Sequence, residues 1–168
     1  RSAYVHIPFC ARHCGYCDFA VVVGQEARAD DYLSALEREL ALHLHEPWPV
    51  RTLFIGGGTP SHLPAPLLSR LLGMLARWLP LEPGGEYSLE ANPDSLTADK
   101  IALLADAGVE RVSLGAQSFD PAALAVLERA HSPDEAARAV ERLAGRITRY
   151  SLDLIFGVPG QTPEKWGD

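Results

Sequence analysis

Several things are missing from this chain, and each absence removes a class of function. No apolar run is long enough to span a bilayer. Positive charge is in deficit: 15 Lys and Arg face 22 Asp and Glu, a net charge of −7 that disfavours nonspecific binding to nucleic acid. No secretory pattern opens the chain, because Arg1 and Ser2 lead at once into strand-like residues. An initiator methionine is lacking, and Thr162 to Asp168 reads as the opening of a helix. The expectation is therefore that residues 1–168 are the N-terminal part of a larger domain. Repeats and low-complexity segments are absent too. Cysteine is scarce and bunched: three copies fall within the eight residues from Cys10 to Cys17. An odd, bunched set makes a poor disulfide framework. It fits metal or cluster ligation in a reducing compartment, either the cytoplasm or an organelle with a reducing interior.

What is present is alternation. The length and the 47% hydrophobic content suffice for one domain with a core. Short β-rich runs are expected at about Ala3–Pro8, Thr52–Ile55, Glu86–Ala91, Arg111–Gly115 and Arg149–Phe156. They carry little polar alternation, as strands covered on both faces do. Helical runs lie between them. Asp30 is placed to cap a helix with the stripe Leu33, Leu36, Leu40 and Leu44. Leu67, Leu68, Leu71, Leu72 and Leu75 line a second. Thr97 can cap a third, with Leu96 and Ile101 as a hydrophobic staple and Gly108 as its stop. Asp120-Pro121 opens a fourth helix. Ser132-Pro-Asp-Glu135 opens a fifth with a capping-box pattern, and Gly145 ends it. Repeated βα units predict an α/β fold with parallel strands and right-handed crossovers. A complete eight-fold barrel needs roughly 250 residues. The expectation is thus a partial TIM-type (βα) barrel of about five strands, with an open flavodoxin-like sheet as the alternative.

The unusual residues cluster by position. The first strand runs into the cysteines and the second into Gly56-Gly57-Gly58-Thr59-Pro60. The third ends in Glu90-Ala-Asn-Pro93, the fourth in Gln117-Ser118, and the fifth carries Asp153 before Gly157-Val-Pro-Gly160. In a βα barrel the C-terminal strand ends share the face that carries the chemistry. Cys10-x₃-Cys14-x₂-Cys17 supplies soft thiolates, which suit zinc or an iron–sulfur cluster. A cube usually takes four cysteines, so three leave one iron open to a ligand. The alternative is structural zinc with His6 or His13 as a fourth ligand. The glycine run is read either as a permissive turn or as a close approach to a ligand. It lacks the Lys-Ser/Thr of a nucleotide-phosphate loop. Glu90 and Asp153 interrupt apolar strands, and each needs a partner there.

Taken in order, the motifs form a specific set. They are Tyr4-Val-His-Ile-Pro-Phe-Cys10, Phe54-Ile-Gly-Gly-Gly-Thr-Pro60, Leu89-Glu-Ala-Asn-Pro93, Ser113-Leu-Gly-Ala-Gln-Ser-Phe119, Arg129-Ala-His131 and Asp153-Leu-Ile-Phe-Gly-Val-Pro-Gly-Gln-Thr162. The chain resembles radical S-adenosylmethionine (SAM) proteins of the oxygen-independent coproporphyrinogen III oxidase-like group. In that group the true dehydrogenase typically has a further cysteine where this chain has Phe19, and Gln-Asp-Phe where it has Gln117-Ser118-Phe119. Cys17-Asp-Phe19 and Gln117-Ser-Phe119 resemble instead the HemW branch, the haem chaperones. The resemblance implies a [4Fe–4S] cluster on Cys10, Cys14 and Cys17. It implies SAM contacts at Tyr4, Tyr16, Gly57, Gly58, Thr59, Glu90, Gln117, Arg129 and Asp153. It further implies haem or porphyrin as a ligand, an electron donor, and a haem-accepting protein as partner. Two functions follow from it: haem binding and transfer, or porphyrin oxidation by a SAM-derived radical. It assigns no role to His6 or His131.

Overall fold

A computed structural model of the chain describes residues 1–167. Asp168, the last residue of the helix expected from Thr162, lies outside the described residues. The chain opens with β1 (Ser2–Ile7), followed by two short strands, β2 (Phe9–Cys10) and β3 (Val22–Val23). Next come α1 (Ala29–His43), β4 (Val50–Gly57), α2 (Ala65–Trp78) and β5 (Leu81–Ala91). The remaining elements are α3 (Ala98–Asp106), β6 (Arg111–Gln117), α4 (Pro121–Val126), α5 (Pro133–Ala144), β7 (Arg149–Leu154) and α6 (Pro163–Gly167).

Helix starts follow local chemistry at three of the expected places. Thr97 accepts from the Lys100 N–H (3.5 Å), and Asp120 accepts from the Ala122 N–H (2.8 Å). Ser132 and Glu135 close a full capping box, with the Ser132 N–H donating to the Glu135 carboxylate at 2.8 Å. Leu96 and Ile101 are both buried, as a staple requires. Gly108 adopts φ +82° just past α3, a left-handed stop that glycine permits without strain. Asp30 is a correction. α1 starts one residue earlier, so Asp30 lies in the first turn and makes no cap. There its carboxylate accepts from the α2 residue Arg70 at 2.7 Å.

The five long strands form one all-parallel sheet in the order β1-β4-β5-β6-β7. Spatial order equals chain order, so each right-handed crossover lays its helix on the same side. A flavodoxin-like sheet would reverse direction at a switch point and place helices on both sides. The fold is therefore a partial βα barrel. One rung of the ladder, Val5, Ile55, Leu89 and Val112, points to the helices and is buried. Against it pack Leu33, Leu71, Leu75, Leu104 and Leu143. The opposite face carries Tyr4, Phe54, Ser88 and Arg111 on one rung and Glu90, Ser113 and Ser151 further up. Helices thus cover only one face, not both as the apolar strand runs suggested. The other face would be the barrel interior, which explains why its polar groups pair with one another. Glu86, Ser88, Arg111 and Arg149 form such a ladder: Ser88 donates to Glu86 (2.6 Å), and Arg149 approaches the same carboxylate at 3.4 Å.

Strand limits also shift. β5 begins at Leu81, and its register against β4 slips between Leu81 and Glu86, where Gly84 takes φ +73°. β6 reaches Gln117, and β7 ends at Leu154 rather than Phe156.

Candidate functional site

The C-terminal ends of the strands meet at a cavity of about 150 Å³. Cys10, Cys14 and Cys17 line one side of it, with Tyr16 from the same loop. Gly57, Gly58 and Thr59 enter from β4, Glu90 and Asn92 from β5, Gln117 from β6, Asp153 from β7 and Arg129 from the segment between α4 and α5. Eleven of the twelve residues singled out from the sequence therefore border one space. Tyr4 does not. It stands at the edge of the sheet with its ring against Phe54, and its hydroxyl lies 3.2 Å from His6 Nδ1.

The cysteine loop is held by its own short strands. β2 and β3 pair in parallel, and the Val22 N–H donates to the Pro8 carbonyl at 2.8 Å. A turn closed by the Cys17 N–H on the Cys14 carbonyl (3.0 Å) draws the second and third cysteines together. All three thiols are free and half-buried. Burial pushes the Cys10 thiol above its ordinary value, and a Thr59 hydroxyl 3.4 Å away offsets part of that rise.

The glycine loop is needed for packing. Gly57 has φ +113°, and a Cβ there would come within 2.5 Å of the His6 ring. At Gly58 it would meet the Pro8 and Phe9 carbonyl oxygens at 2.8 Å. The two loops lie flush because the Gly58 and Thr59 N–H groups donate to Ile7 and Phe9 carbonyls (2.8 and 2.9 Å). Glycine here lets the β4 loop press on the backbone that leads to the first cysteine.

Each strand carboxylate has found a partner. Glu90 accepts the Gly57 N–H at 2.9 Å, yet burial still raises its carboxyl above the usual range. Asp153 is exposed and accepts the Ser113 hydroxyl at 2.8 and 2.9 Å.

Gln117 carries strain. Its φ is +63°, rare for a side chain other than glycine, and the Ser118 N–H closes a three-residue turn on the Ala116 carbonyl at 2.8 Å. The same carbonyl lies 2.9 Å from His131 Nε2, which must carry the proton to donate there. His131 is buried, so it braces the turn that lifts Gln117 into the cavity. Strain of this kind persists where the surroundings over-determine it, and functional sites are common places for it.

Arg129 ties the strands to the loop. Its Nη2 donates to the Asn92 amide oxygen (2.8 Å) and the Gly115 carbonyl (2.7 Å). Its Nη1 reaches Tyr16 (3.3 Å) and the Cys14 sulfur (3.5 Å). Its Nε–H is buried without an acceptor. Asn92 is a residue whose role sequence reasoning missed. The available signal was its place at the end of β5, two residues after Glu90.

His6 is poorly placed to be a fourth zinc ligand. Both ring nitrogens of His6 are engaged, by Tyr4 and by the Ala20 carbonyl (2.9 Å). A cluster gripped at three corners needs its thiolates around a larger body, and three cysteines bordering one cavity supply that donor set.

A partial parallel barrel with its cysteines at the strand ends defines a class, and comparison with known sequences agrees. The radical SAM superfamily profile matches residues 4–168, and the chain belongs to that superfamily. Membership implies SAM and a [4Fe–4S] cluster. Within the superfamily the chain sits in the coproporphyrinogen oxidase-like group, on the HemW side. It is 42% identical to the heme chaperone HemW of Bacillus subtilis, over 96% of this chain and 44% of that protein. It is 45% identical to the heme chaperone HemW of Lactococcus lactis, over 98% of this chain and 43% of that protein. Among solved structures it resembles coproporphyrinogen III oxidase (HemN) from Escherichia coli, a radical SAM enzyme. That match has a TM-score of 0.90 and 32% identity, over 98% of this chain and 39% of the other. The chain spans less than half the length of these relatives.

Proposed function

We propose that this chain is the cluster- and SAM-binding part of a haem-handling protein of the HemW kind, which binds haem and passes it to a haem-accepting protein in a reducing compartment. The observation that carries this reading is the shared cavity. Three thiols from one loop face a glycine loop, two strand-end carboxylates and a partly unsatisfied arginine. Cys10, Cys14 and Cys17 would hold three irons and leave the fourth to SAM. When bound, the cluster supplies an electron to SAM. Arg129 borders the cavity and would pair with the SAM carboxylate as a charge-assisted donor. Glu90 and Asp153 are acceptors for hydroxyl groups at the ends of neighbouring strands. Phe19 favours haem handling over porphyrin oxidation. It lines the same cavity at 65% exposure, where the dehydrogenase pattern has a further cysteine.

The test is anaerobic preparation of the full chain, with metal analysis and haem titration. The expected result is about four irons with matching sulfide, saturable haem binding, and no conversion of coproporphyrinogen III. The Cys14→Ser variant should lose most of its iron. Wild-type iron content in that variant would sink the ligand assignment. Efficient oxidation of coproporphyrinogen III would replace the chaperone reading with the enzyme one.

A further inference from the structure

We infer that Asn92 is a positioning residue that turns the Thr59 hydroxyl proton onto the Cys10 sulfur, and so sets the reduction potential of the cluster. This rests on the cluster assignment above. Hydrogen-bond direction carries it. An arginine guanidinium only donates. Arg129 Nη2 lies 2.8 Å from one end of the Asn92 amide, so that end must be the oxygen. The other end is then the NH₂, and it donates to Thr59 Oγ1 at 3.0 Å. Thr59 Oγ1 is thereby an acceptor toward Asn92, and its own hydrogen is left for another partner. Cys10 Sγ, 3.4 Å away, is its other side-chain contact. A thiolate can only accept. The three groups thus form a one-way relay: guanidinium to amide oxygen, amide N–H to hydroxyl, hydroxyl to sulfur.

The surroundings hold the amide in this orientation. The Asn92 N–H donates to the Ser61 hydroxyl (3.2 Å), and its carbonyl accepts from Ser95 (3.1 and 3.2 Å). Lys100 clamps the carbonyls of both Ser61 and Ser95 at 2.5 and 3.2 Å. Gly115 leaves room for the amide oxygen, since a Cβ there would sit 2.8 Å from it. Thr59 is buried and its hydroxyl is committed to Asn92 and Cys10. Hydrogen bonds to the ligating sulfurs are among the levers that set cluster potentials, because they stabilise the more negative, reduced state.

The experiment is redox potentiometry of the reconstituted full chain, followed by electron paramagnetic resonance, with iron content measured in parallel. Thr59→Val removes the hydroxyl at similar volume and should lower the midpoint potential with iron content unchanged. Thr59→Ser keeps the donor and should restore it. Asn92→Asp replaces a donor by an acceptor, which draws the Thr59 proton away from sulfur. Its added charge lowers the potential in any background. The fall should therefore be larger with Thr59 present than in the Thr59→Val background. Equal shifts in the two backgrounds, or a Thr59→Val protein at the wild-type potential, would overturn the relay. If Asn92→Asp takes up no iron, the Thr59 pair alone decides. A wild-type protein that takes up no cluster would instead sink the cluster assignment itself.

Discussion

At the scale of single residues, the site works by leaving few polar atoms uncommitted. Glu90, Asp153, Asn92 and Thr59 each have named partners, and the buried donor left over is Arg129 Nε among the described residues that line the cavity. His131 shows the cost of burial. Its Nε2 is used on Ala116, while its Nδ1 is buried with no partner. Burial holds its pKa below the ordinary 6.5, with the nearby Arg129 charge acting the same way. The unfolded chain therefore takes up a proton on this histidine at higher pH than the folded one. Its contribution to stability is present above pH 6.5 and is lost as pH falls through the lower folded value. Urea midpoints should drop between neutral and mildly acidic pH, and the drop should be smaller in His131→Gln. Equal slopes for the two proteins would show that His131 is not the group responsible.

At the scale of elements, local sequence signals were reliable where one or two residues suffice. The capping box at Ser132 and Glu135 is an example, since both partners lie within one helical turn. Ser132→Ala should destabilise the protein by about 1 kcal/mol, measured by denaturant unfolding. It should leave iron content unchanged, because the cap's hydrogen bonds run only between Ser132 and Glu135. Asp30 failed as a cap for a reason that is not local. Arg70 on the next helix takes its carboxylate, and a short 3₁₀ turn at Glu26–Arg28 leads directly into α1. β2 and β3 escaped notice because two residues give no periodicity to read. The strain at Gln117 was equally hidden, since glutamine carries no signal for positive φ.

At the scale of the whole molecule, the sheet grows in chain order and β7 pairs only with β6 among the described residues. Tyr150, Leu154 and Phe156 are exposed along this side, the last at 78%. An unpaired parallel edge with apolar neighbours is a template for another strand. The 168-residue chain on its own should therefore associate as concentration rises, seen by light scattering. Leu154→Lys should reduce that association, and an unchanged size distribution would show that the edge is not the contact. No described helix is long and apolar enough to cross a membrane.

The amino-acid sequence by itself determined the βα alternation, most helix ends and the bunched cysteines with the motifs that mark the superfamily. These are signals of short range: capping chemistry, periodicity and ligand spacing act within a few residues. Only the tertiary structure decided the strand order, the single covered face of the sheet and the links among the site residues. Arg129 reaches Cys14 across 115 positions, and Asn92 reaches Thr59 across 33. Such contacts exist because successive right-handed crossovers bring the strand ends to one rim. Which atom donates to which depends on the directions of side chains there, and no spacing along the chain encodes them.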